Sequence, residues 1–238
     1  MSLGKELGRE TNVRFGILGT GVVGKTIAAR LAGLGHDVMV GTRDPEETAA
    51  RTEPDAFGGS PFSVWIEEHP EVQLATFGEA AAHGETVVNA TPGSVSLEVL
   101  DLAGEDNLSG KILMDISNPL DFSQGMPPTL SVSNTDSLGE QIQRRFPDAK
   151  VVKTLHTMNS YLMVDPTQLA GAEHTVFVCG NDPESKAKVT ELLQSFGWGD
   201  IIDLGDITTA RGTEMLLPIW LRLFGALQKP IFNFKIVR

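Results

Sequence analysis

Short runs of apolar residues alternate with segments of helical period through the first two thirds of the chain. The run at 111–116 is nearly all apolar, which is typical of a strand buried on both faces of a sheet. Strands of this kind, alternating with helices, predict a parallel sheet that helices cover on both sides. Ligands bind such a sheet beyond the carboxyl ends of its strands. The predicted strands are 13–18, 38–40, 73–77, 86–90, 111–116 and 151–155.

A glycine-rich turn joins the first predicted strand to a helix predicted over 25–34. The spacing G-x-G-x-x-G between a strand and a helix is the dinucleotide-binding fingerprint. Its first glycine permits the tight turn, the second lets the backbone approach a pyrophosphate, and the third lets the helix pack on the strand. The helix N-terminus adds free N–H groups and a partial positive charge. The residues of the motif are Gly19, Thr20, Gly21, Val22, Val23 and Gly24.

The residues after the second strand indicate which dinucleotide is bound. An acidic residue at this place normally holds a free ribose 2′-OH, but here Thr42 offers a hydroxyl and Arg43 a guanidinium that suits a 2′-phosphate. Asp44 leaves two alternatives open, because its carboxylate could reach a 2′-OH or could cap a helix that begins at Pro45. We interpret Asp44 as the cap, so the pattern predicts NADP(H) as the cofactor.

The elements after Leu155 continue the alternation of strands and helices in a shorter form. Together with the glycine motif they predict an α/β protein, a Rossmann doubly wound parallel sheet with a small C-terminal α/β domain. The later elements are strands at 175–179, 201–204 and 232–236 and helices over 183–196 and 213–227, the last one kinked at Pro218. The predicted division is an N-terminal tail, 1–12, an NADP-binding Rossmann domain, 13–155, and a small C-terminal domain, 156–238, that completes the cleft and the dimer interface.

The loops after the fourth and fifth strands are expected to line the nicotinamide pocket. Each loop also has a simpler interpretation, since Thr91 could merely cap a helix and Asn118 with Pro119 could merely end a strand. Residues 121–136 then combine Ser, Pro and Gly with apolar side chains that a solvent loop does not need, and we interpret them as a lid. The residues predicted at the pocket are Ala90, Thr91, Pro92, Asn118 and Pro119.

The charge of the chain limits its partners. A formal net charge of −12 on 238 residues argues against nucleic acid and anionic membranes as partners, because both require basic patches. The one cysteine, Cys179, excludes a disulfide framework and a cysteine-based metal site. The apolar stretch from Met215 is broken by Pro218 and Arg222 well short of a membrane span, and no signal peptide is evident. We therefore expect a cytoplasmic protein that acts on a small molecule.

These features resemble the family of NADP oxidoreductases that use the deazaflavin coenzyme F420. The resemblance covers nearly the whole chain from Val13. It implies a Rossmann domain, a small C-terminal domain and hydride transfer between NADP(H) and the deazaflavin in the cleft between them. The segments that carry it are 19–25, 33–36, 40–43, 156–157 and 178–182, with Arg211 and Glu214.

Two departures from the family pattern concern the site. Family members tend to have Ile-Pro-Ala after the His-Thr pair, next to both rings, whereas this chain has Met-Asn-Ser at 158–160. They also tend to have a basic residue four places after the Arg that grips the 2′-phosphate, and here Glu47 stands there.

The second ring is expected on the side of His156, Met158 and Asn159, which are the predicted catalytic residues. His156 keeps two open interpretations, a catalytic or ligand-binding residue and a structural histidine bonded to backbone. Arg211 is predicted to bind the anionic tail of the acceptor. Further candidate cations, some of which could simply be solvated surface charges, are Lys153, Lys229, Lys235 and Arg238.

Hydride transfer between two heterocyclic cofactors needs positioning and exclusion of water rather than a strong acid or base. Reduction of a ketone or imine needs a proton donor, and the only tyrosine, Tyr161, is followed four residues later by Asp165 rather than Lys. We therefore predict an NADP-dependent oxidoreductase that transfers a hydride between NADP(H) and a deazaflavin. The alternatives are an NADPH-dependent reductase of a flavin or small carbonyl compound, and an NADP(H)-binding redox sensor. The helix over 213–227, apolar almost all round, predicts a homodimer.

Overall fold

A computed structural model describes residues 12–54 and 58–238. Nearly all of the predicted N-terminal tail therefore lies outside the described residues. The strands are β1 (Arg14–Leu18), β2 (Asp37–Thr42), β3 (Val72–Thr76), β4 (Thr86–Asn89), β5 (Ile112–Asp115), β6 (Leu120–Asp121), β7 (Thr129–Leu130), β8 (Lys150–Thr154), β9 (Thr175–Gly180) and β10 (Asp200–Asp203). The helices are α1 (Val22–Gly33), α2 (Pro45–Ala49), α3 (Phe62–Glu68), α4 (Phe77–His83), α5 (Ser96–Ala103), α6 (Glu105–Leu108), α7 (Leu138–Arg145), α8 (Ser160–Val164), α9 (Pro183–Phe196), α10 (Ala210–Glu214) and α11 (Leu217–Leu227).

The main sheet has eight strands in the order β10-β9-β8-β5-β4-β1-β2-β3 among the described residues. The six strands from β8 to β3 run parallel, and their order is that of a doubly wound dinucleotide-binding sheet. The predicted Rossmann α/β class is thus confirmed. The chain order reverses between β1 and β4, so the carboxyl ends of these two strands flank the crevice where such folds bind ligands.

The C-terminal strands join this same sheet. β9 pairs antiparallel with β8, with Val152 opposite Gly180, and β10 then runs parallel to β9. The sheet is therefore continuous across Leu155, and a domain boundary at that residue stays a prediction.

Two apolar cores flank the sheet. Neighbouring residues of one strand point to opposite faces, and accordingly Ile17 belongs to one core and Leu18 to the other. The first core also contains side chains from α1, α8 and α9, and the second contains side chains from α4, α5 and α7. Burial on both faces explains why these strands are apolar runs rather than alternating ones.

Three segments differ from the sequence prediction. Residues 62–68, for which no element was predicted, form α3, whose Phe62 and Trp65 are buried. The helix expected over 213–227 is two helices, since α11 begins at Leu217 with Pro218 in its first turn, where the missing N–H of proline is tolerated. The prediction of a strand at 232–236 was wrong, because that segment makes isolated hydrogen bonds to Thr175 instead of a ladder.

Candidate functional site

A cleft of about 640 Å³ opens at the carboxyl ends of the central strands. It extends from the turn before α1 past the end of β2 to the loops after β4 and β5, and Phe122 lies at its edge. Eleven predicted site residues line it together: Gly19, Thr20, Gly21, Val22, Val23, Thr42, Arg43, Ala90, Thr91, Pro92 and Asn118. Gly24, Pro119, His156, Met158, Asn159 and Arg211 do not belong to its described lining.

The glycine turn has the shape that an anion-binding turn needs. Gly19 adopts φ +121°, and a Cβ there would lie 2.8 Å from the carbonyl oxygen of Ala90. A Cβ on Gly24 would lie 2.0 Å from the carbonyl oxygen of Gly19, so the packing of α1 on β1 requires glycine. A Cβ on Gly21 would meet no protein atom within 4 Å.

The N-terminus of α1 faces this turn without a competing group. No side chain caps the helix, and its first turn holds no acidic residue. Its first N–H groups are therefore available to an anion in the cleft, and the helix dipole favours a negative charge there. The turn thus fits a dinucleotide pyrophosphate on the shape of its backbone.

The end of β2 presents hydroxyl groups and cations. Thr42 is buried, and its Oγ1 lies 2.8 Å from Oγ1 of Thr48. The guanidinium of Arg43 reaches across to Glu98, with Nη2 2.9 Å from Oε1, and both side chains are exposed. Asp44 accepts a hydrogen bond from the N–H of Glu47 at 3.0 Å, so Asp44 caps α2 as predicted.

Arg51 is a site residue that the sequence reasoning missed. It follows α2 and lines the cleft beside Arg43. Its Nη1 lies 3.4 Å from Oγ1 of Thr20, and its Nη2 lies 3.3 Å from Oγ1 of Thr48. Only the return of the chain past the glycine turn brings it there, and no local motif marks such a position.

Buried polar bonds position the loops at the other end of the cleft. Thr91 donates its hydroxyl to Oδ1 of Asn89 at 2.6 Å, and Asn89 donates its amide to Oδ1 of Asp115 at 2.9 Å. The same Asp115 oxygen accepts the N–H of Ser117 at 3.1 Å. The loops after β4 and β5 are therefore tied together beneath the cleft. Thr91 is part of this network rather than only a helix cap.

Lys153 lies at the centre of a buried ionic cluster behind these loops. Its Nζ is 2.7 Å from Oδ2 of Asp115, 2.9 Å from Oε1 of Glu214 and 2.9 Å from the carbonyl oxygen of Ser117. Burial by itself lowers the pKa of Lys153, but the carboxylates of Asp115 and Glu214 raise it above its ordinary value. The lysine is therefore charged, and the cluster links α10 to the loop that carries Asn118.

His156 sits beside this cluster with a buried ring. Neither ring nitrogen makes a well-aligned hydrogen bond with the described residues. Burial and the nearby charge of Lys153 lower the pKa of His156 well below its ordinary value, so the ring is neutral at physiological pH. Its carbonyl oxygen accepts the side-chain amide of Asn118 at 2.9 Å. His156 is thus connected to the cleft by the hydrogen bond between its backbone carbonyl and Asn118, which lines the cleft.

The other residues predicted to be catalytic or acceptor-binding have structural partners. Met158 packs in the first core, and Asn159 caps α8 by accepting the N–H of Tyr161 at 2.9 Å. Arg211 donates two hydrogen bonds to Glu140, with Nε and Nη2 at 2.8 and 2.6 Å from the two carboxylate oxygens. Catalytic or acceptor-binding roles for these residues stay predictions.

The ionisable side chains of the described cleft lining are confined to one end. They are Arg43, Asp44, Glu47 and Arg51, all at or after the end of β2. The loops after β4 and β5 contribute backbone, hydroxyl, amide and apolar groups there. This arrangement can bind an anion at one end and hold a flat, weakly polar ring at the other.

A family model and two relatives connect the chain with F420-dependent NADP oxidoreductases. Residues 14–119 match the family model described as NADP oxidoreductase coenzyme F420-dependent. A proposed F420-dependent NADP reductase from Arthrobacter sp. FB24 is 62% identical, and its crystal structure matches with a TM-score of 0.92 over 95% of this chain and 100% of that one. The F420-dependent NADP reductase of Methanocaldococcus jannaschii is 27% identical over 211 residues, which are 86% of this chain and 89% of the reductase.

A second group of relatives is longer. Metalloreductase STEAP3 of Rattus norvegicus is 29% identical over 213 residues, and the chain spans only 38% of its length. An imine reductase from Pseudomonas sp., 20% identical with a TM-score of 0.62, shares the fold. In the described part of this chain, none of the helices has the length and apolarity to cross a membrane.

Proposed function

The chain belongs to the coenzyme F420-dependent NADP oxidoreductase family, and on this premise we propose that it transfers a hydride between NADP(H) and a deazaflavin. The confinement of ionisable side chains to one end of the described cleft carries this proposal. Hydride transfer between two rings needs positioning and exclusion of water, whereas carbonyl reduction needs a proton donor at the reacting end. The ring-binding end offers no ionisable side chain in its described lining.

The described residues fit NADP(H) along the whole cleft. The N–H groups of Val22 and Val23 would bind the pyrophosphate, because the helix N-terminus there carries no side-chain cap. Arg43 would bind the 2′-phosphate of the adenosine ribose. The nicotinamide, which exchanges the hydride when bound, would lie on Ala90, Thr91, Pro92, Asn118 and Pro119.

The second ring would enter beside Phe122, which lines the cleft and is exposed. Phe122 belongs to the predicted lid at 121–136, and the short β6–β7 hairpin holds part of that segment. We assign His156 a positioning role, because its carbonyl oxygen holds the Asn118 amide while its neutral ring stays buried. Closure of the lid would exclude water from the reacting rings.

An acceptor panel tests the proposal. NADPH oxidation by the purified protein should be fastest with a deazaflavin of the F420 type, when compared with FMN, FAD, small carbonyl compounds and a ferric chelate. The ferric chelate is included because a metalloreductase is among the relatives. Faster turnover of a flavin or a carbonyl compound would promote the second candidate, a flavin or carbonyl reductase. Tight NADPH binding without turnover of any acceptor would point to a redox sensor.

Replacing Arg43 by alanine should weaken NADPH binding by about tenfold to hundredfold and leave NADH binding nearly unchanged. A charge-assisted contact to a phosphate contributes roughly 1.5–3 kcal/mol, and NADH lacks that phosphate. Fluorescence titration of both nucleotides measures the effect. Glu98→Gln is the matched control, because it removes the partner of Arg43 without removing the guanidinium, and it should not weaken NADPH. Equal losses for both nucleotides in the Arg43 variant would contradict the assignment.

Light scattering at micromolar concentration should show a homodimer built on α11. Leu217 is the buried residue of this helix, whereas Ile219, Phe224 and Leu227 are exposed large apolar side chains. Such a face is typical of a protein interface. Phe224→Asp should yield a monomer, and Val64→Asp, at an exposed apolar residue of α3, should leave the dimer intact. A monomeric wild-type protein would refute the prediction.

A further inference from the structure

We propose that Arg51 is a second cation of the 2′-phosphate site and determines, with Arg43, the preference for NADP(H). The inference rests on the proposed use of NADP(H). It concerns a residue that follows a helix rather than a strand end.

The charge balance at this end of the cleft requires a cation besides Arg43. The carboxylates of Asp44 and Glu47 line the cleft together with the two arginines. The Arg43 guanidinium is already paired with Glu98 at 2.9 Å, and both side chains are exposed. A phosphate dianion that approaches here meets three carboxylates, those of Asp44, Glu47 and Glu98. Because Arg43 shares its guanidinium with Glu98, it would by itself compensate the charge of the phosphate poorly.

Arg51 offers a guanidinium that no described carboxylate neutralises. Its partners in the described chain are hydroxyl groups, those of Thr20 and Thr48, at 3.4 and 3.3 Å. These distances lie at the long end of the hydrogen-bond range, so the bonds are weak and easily exchanged. A phosphate oxygen would replace them with charge-assisted bonds, which are shorter and about twice as strong as neutral ones.

The position of Arg51 fits a 2′-phosphate better than the pyrophosphate. Thr48 is hydrogen-bonded to Thr42 at the end of β2, on the side where the ribose of a bound dinucleotide lies. Thr20 is in the glycine turn on the other side. The Arg51 guanidinium therefore bridges these two walls, and a phosphate on the ribose between them comes within reach of its fork of donors.

The test compares nucleotide binding by single variants of the full chain. Arg51→Gln should weaken NADPH and 2′,5′-ADP by about tenfold each while changing NADH by less than about twofold. Arg51→Lys should lose less NADPH affinity than Arg51→Gln, because lysine keeps the positive charge although it lacks the planar fork of donors. Arg14→Gln is the matched control, since Arg14 is also an exposed arginine and pairs with Glu85 at the opposite end of the sheet, and it should leave both affinities unchanged.

Three results would overturn the inference. Equal weakening of NADPH and NADH would make Arg51 a structural bridge between two loops. An unchanged NADPH affinity in Arg51→Gln would remove it from the site altogether. A wild-type protein that binds NADPH no better than NADH would lack a 2′-phosphate site. By contrast, a protein that prefers NADPH but reduces no deazaflavin would refute the proposed acceptor and leave the assignment of Arg51 intact.

Discussion

Replacing Lys153 by methionine should lower the free energy of unfolding by about 3–5 kcal/mol. The lysine is fully buried, and its ammonium group is 2.7 Å from Asp115 and 2.9 Å from Glu214. Methionine fills a similar volume, so the packing loss is small. The loss of the charge, however, leaves two carboxylates buried without their cation. Urea denaturation of the wild type and the variant at pH 7 measures the difference.

Lys235→Met provides the control for this measurement. Lys235 pairs with Glu173 at 3.2 Å, but both side chains are exposed to solvent. Exposed ion pairs contribute less than about 1 kcal/mol, so the control should unfold almost like the wild type. A similar loss in both variants would mean that the buried cluster contributes no more than a surface pair.

The difference in the free energy of unfolding between the wild type and Lys153→Met should shrink as the pH falls from 7 to 5. Without the cation, burial disfavours the charged form of the two carboxylates in the folded variant, whereas water solvates both in the unfolded chain. Protonation removes this penalty, so lowering the pH favours the folded variant relative to the wild type. A deficit that is independent of pH would show that packing, not unpaired charge, is the cause.

The glycine turn and its surroundings could be predicted because their determinants are local. The strand, the turn and the helix that form the glycine-rich end of the cleft all lie within 14–33. Gly19 is required by its close approach to Ala90, just after β4, and Gly24 by its close approach to Gly19, whereas a Cβ on Gly21 would meet no protein atom within 4 Å. The cap formed by Asp44 was predictable for the same reason, since it depends only on Pro45 and the N–H of Glu47. Local rules are sufficient where the interacting residues are close in sequence.

The position of Arg51 in the cleft and the buried ionic cluster around Lys153 could not be predicted in this way. Arg51 reaches Thr20 across 31 positions, and Lys153 joins Asp115 across 38. Nothing in the immediate sequence distinguishes Lys153 from a solvated lysine, so the sequence alone predicts it among the cations that could bind an anionic tail. Its strand is buried between β5 and β9, and only that neighbourhood explains a lysine with no exposed surface.

The C-terminal segment shows a different limit. The alternation of Phe232, Phe234 and Ile236 satisfies the period of a strand, but β9 already lies between β8 and β10 in the sheet. The segment therefore makes isolated hydrogen bonds to Thr175 at the start of β9, and the side chain of Asn233 also bonds to His174. Periodicity indicates which residues can face a core, but the availability of a partner strand decides whether a ladder forms.

Alanine substitutions in the glycine turn should separate stability from nucleotide binding. In Gly24→Ala the new Cβ would lie 2.0 Å from the carbonyl oxygen of Gly19, so α1 must move away from β1. We expect a loss of about 3 kcal/mol in the free energy of unfolding, the upper end of the overpacking range. NADPH binding should fall as well, because the helix N-terminus moves with α1.

Gly21→Ala should instead keep the stability within about 0.5 kcal/mol of the wild type. The backbone of Gly21 has φ −76°, which any L residue adopts, and a Cβ there meets no protein atom within 4 Å. That open space belongs to the cleft, so the methyl group would occupy the place where the pyrophosphate approaches the backbone. NADPH affinity should therefore fall by about tenfold to hundredfold, the range expected for losing charge-assisted bonds to the phosphate.

Gly33→Ala completes the set, because Gly33 lies in the same helix and a Cβ there also meets nothing within 4 Å. It should lower neither stability nor affinity, since alanine favours the helix more than glycine does. Urea denaturation and fluorescence titration of the three variants provide both quantities. If Gly21→Ala bound NADPH like the wild type, the pyrophosphate would not lie on this turn, and the orientation of the dinucleotide in the cleft would have to be revised.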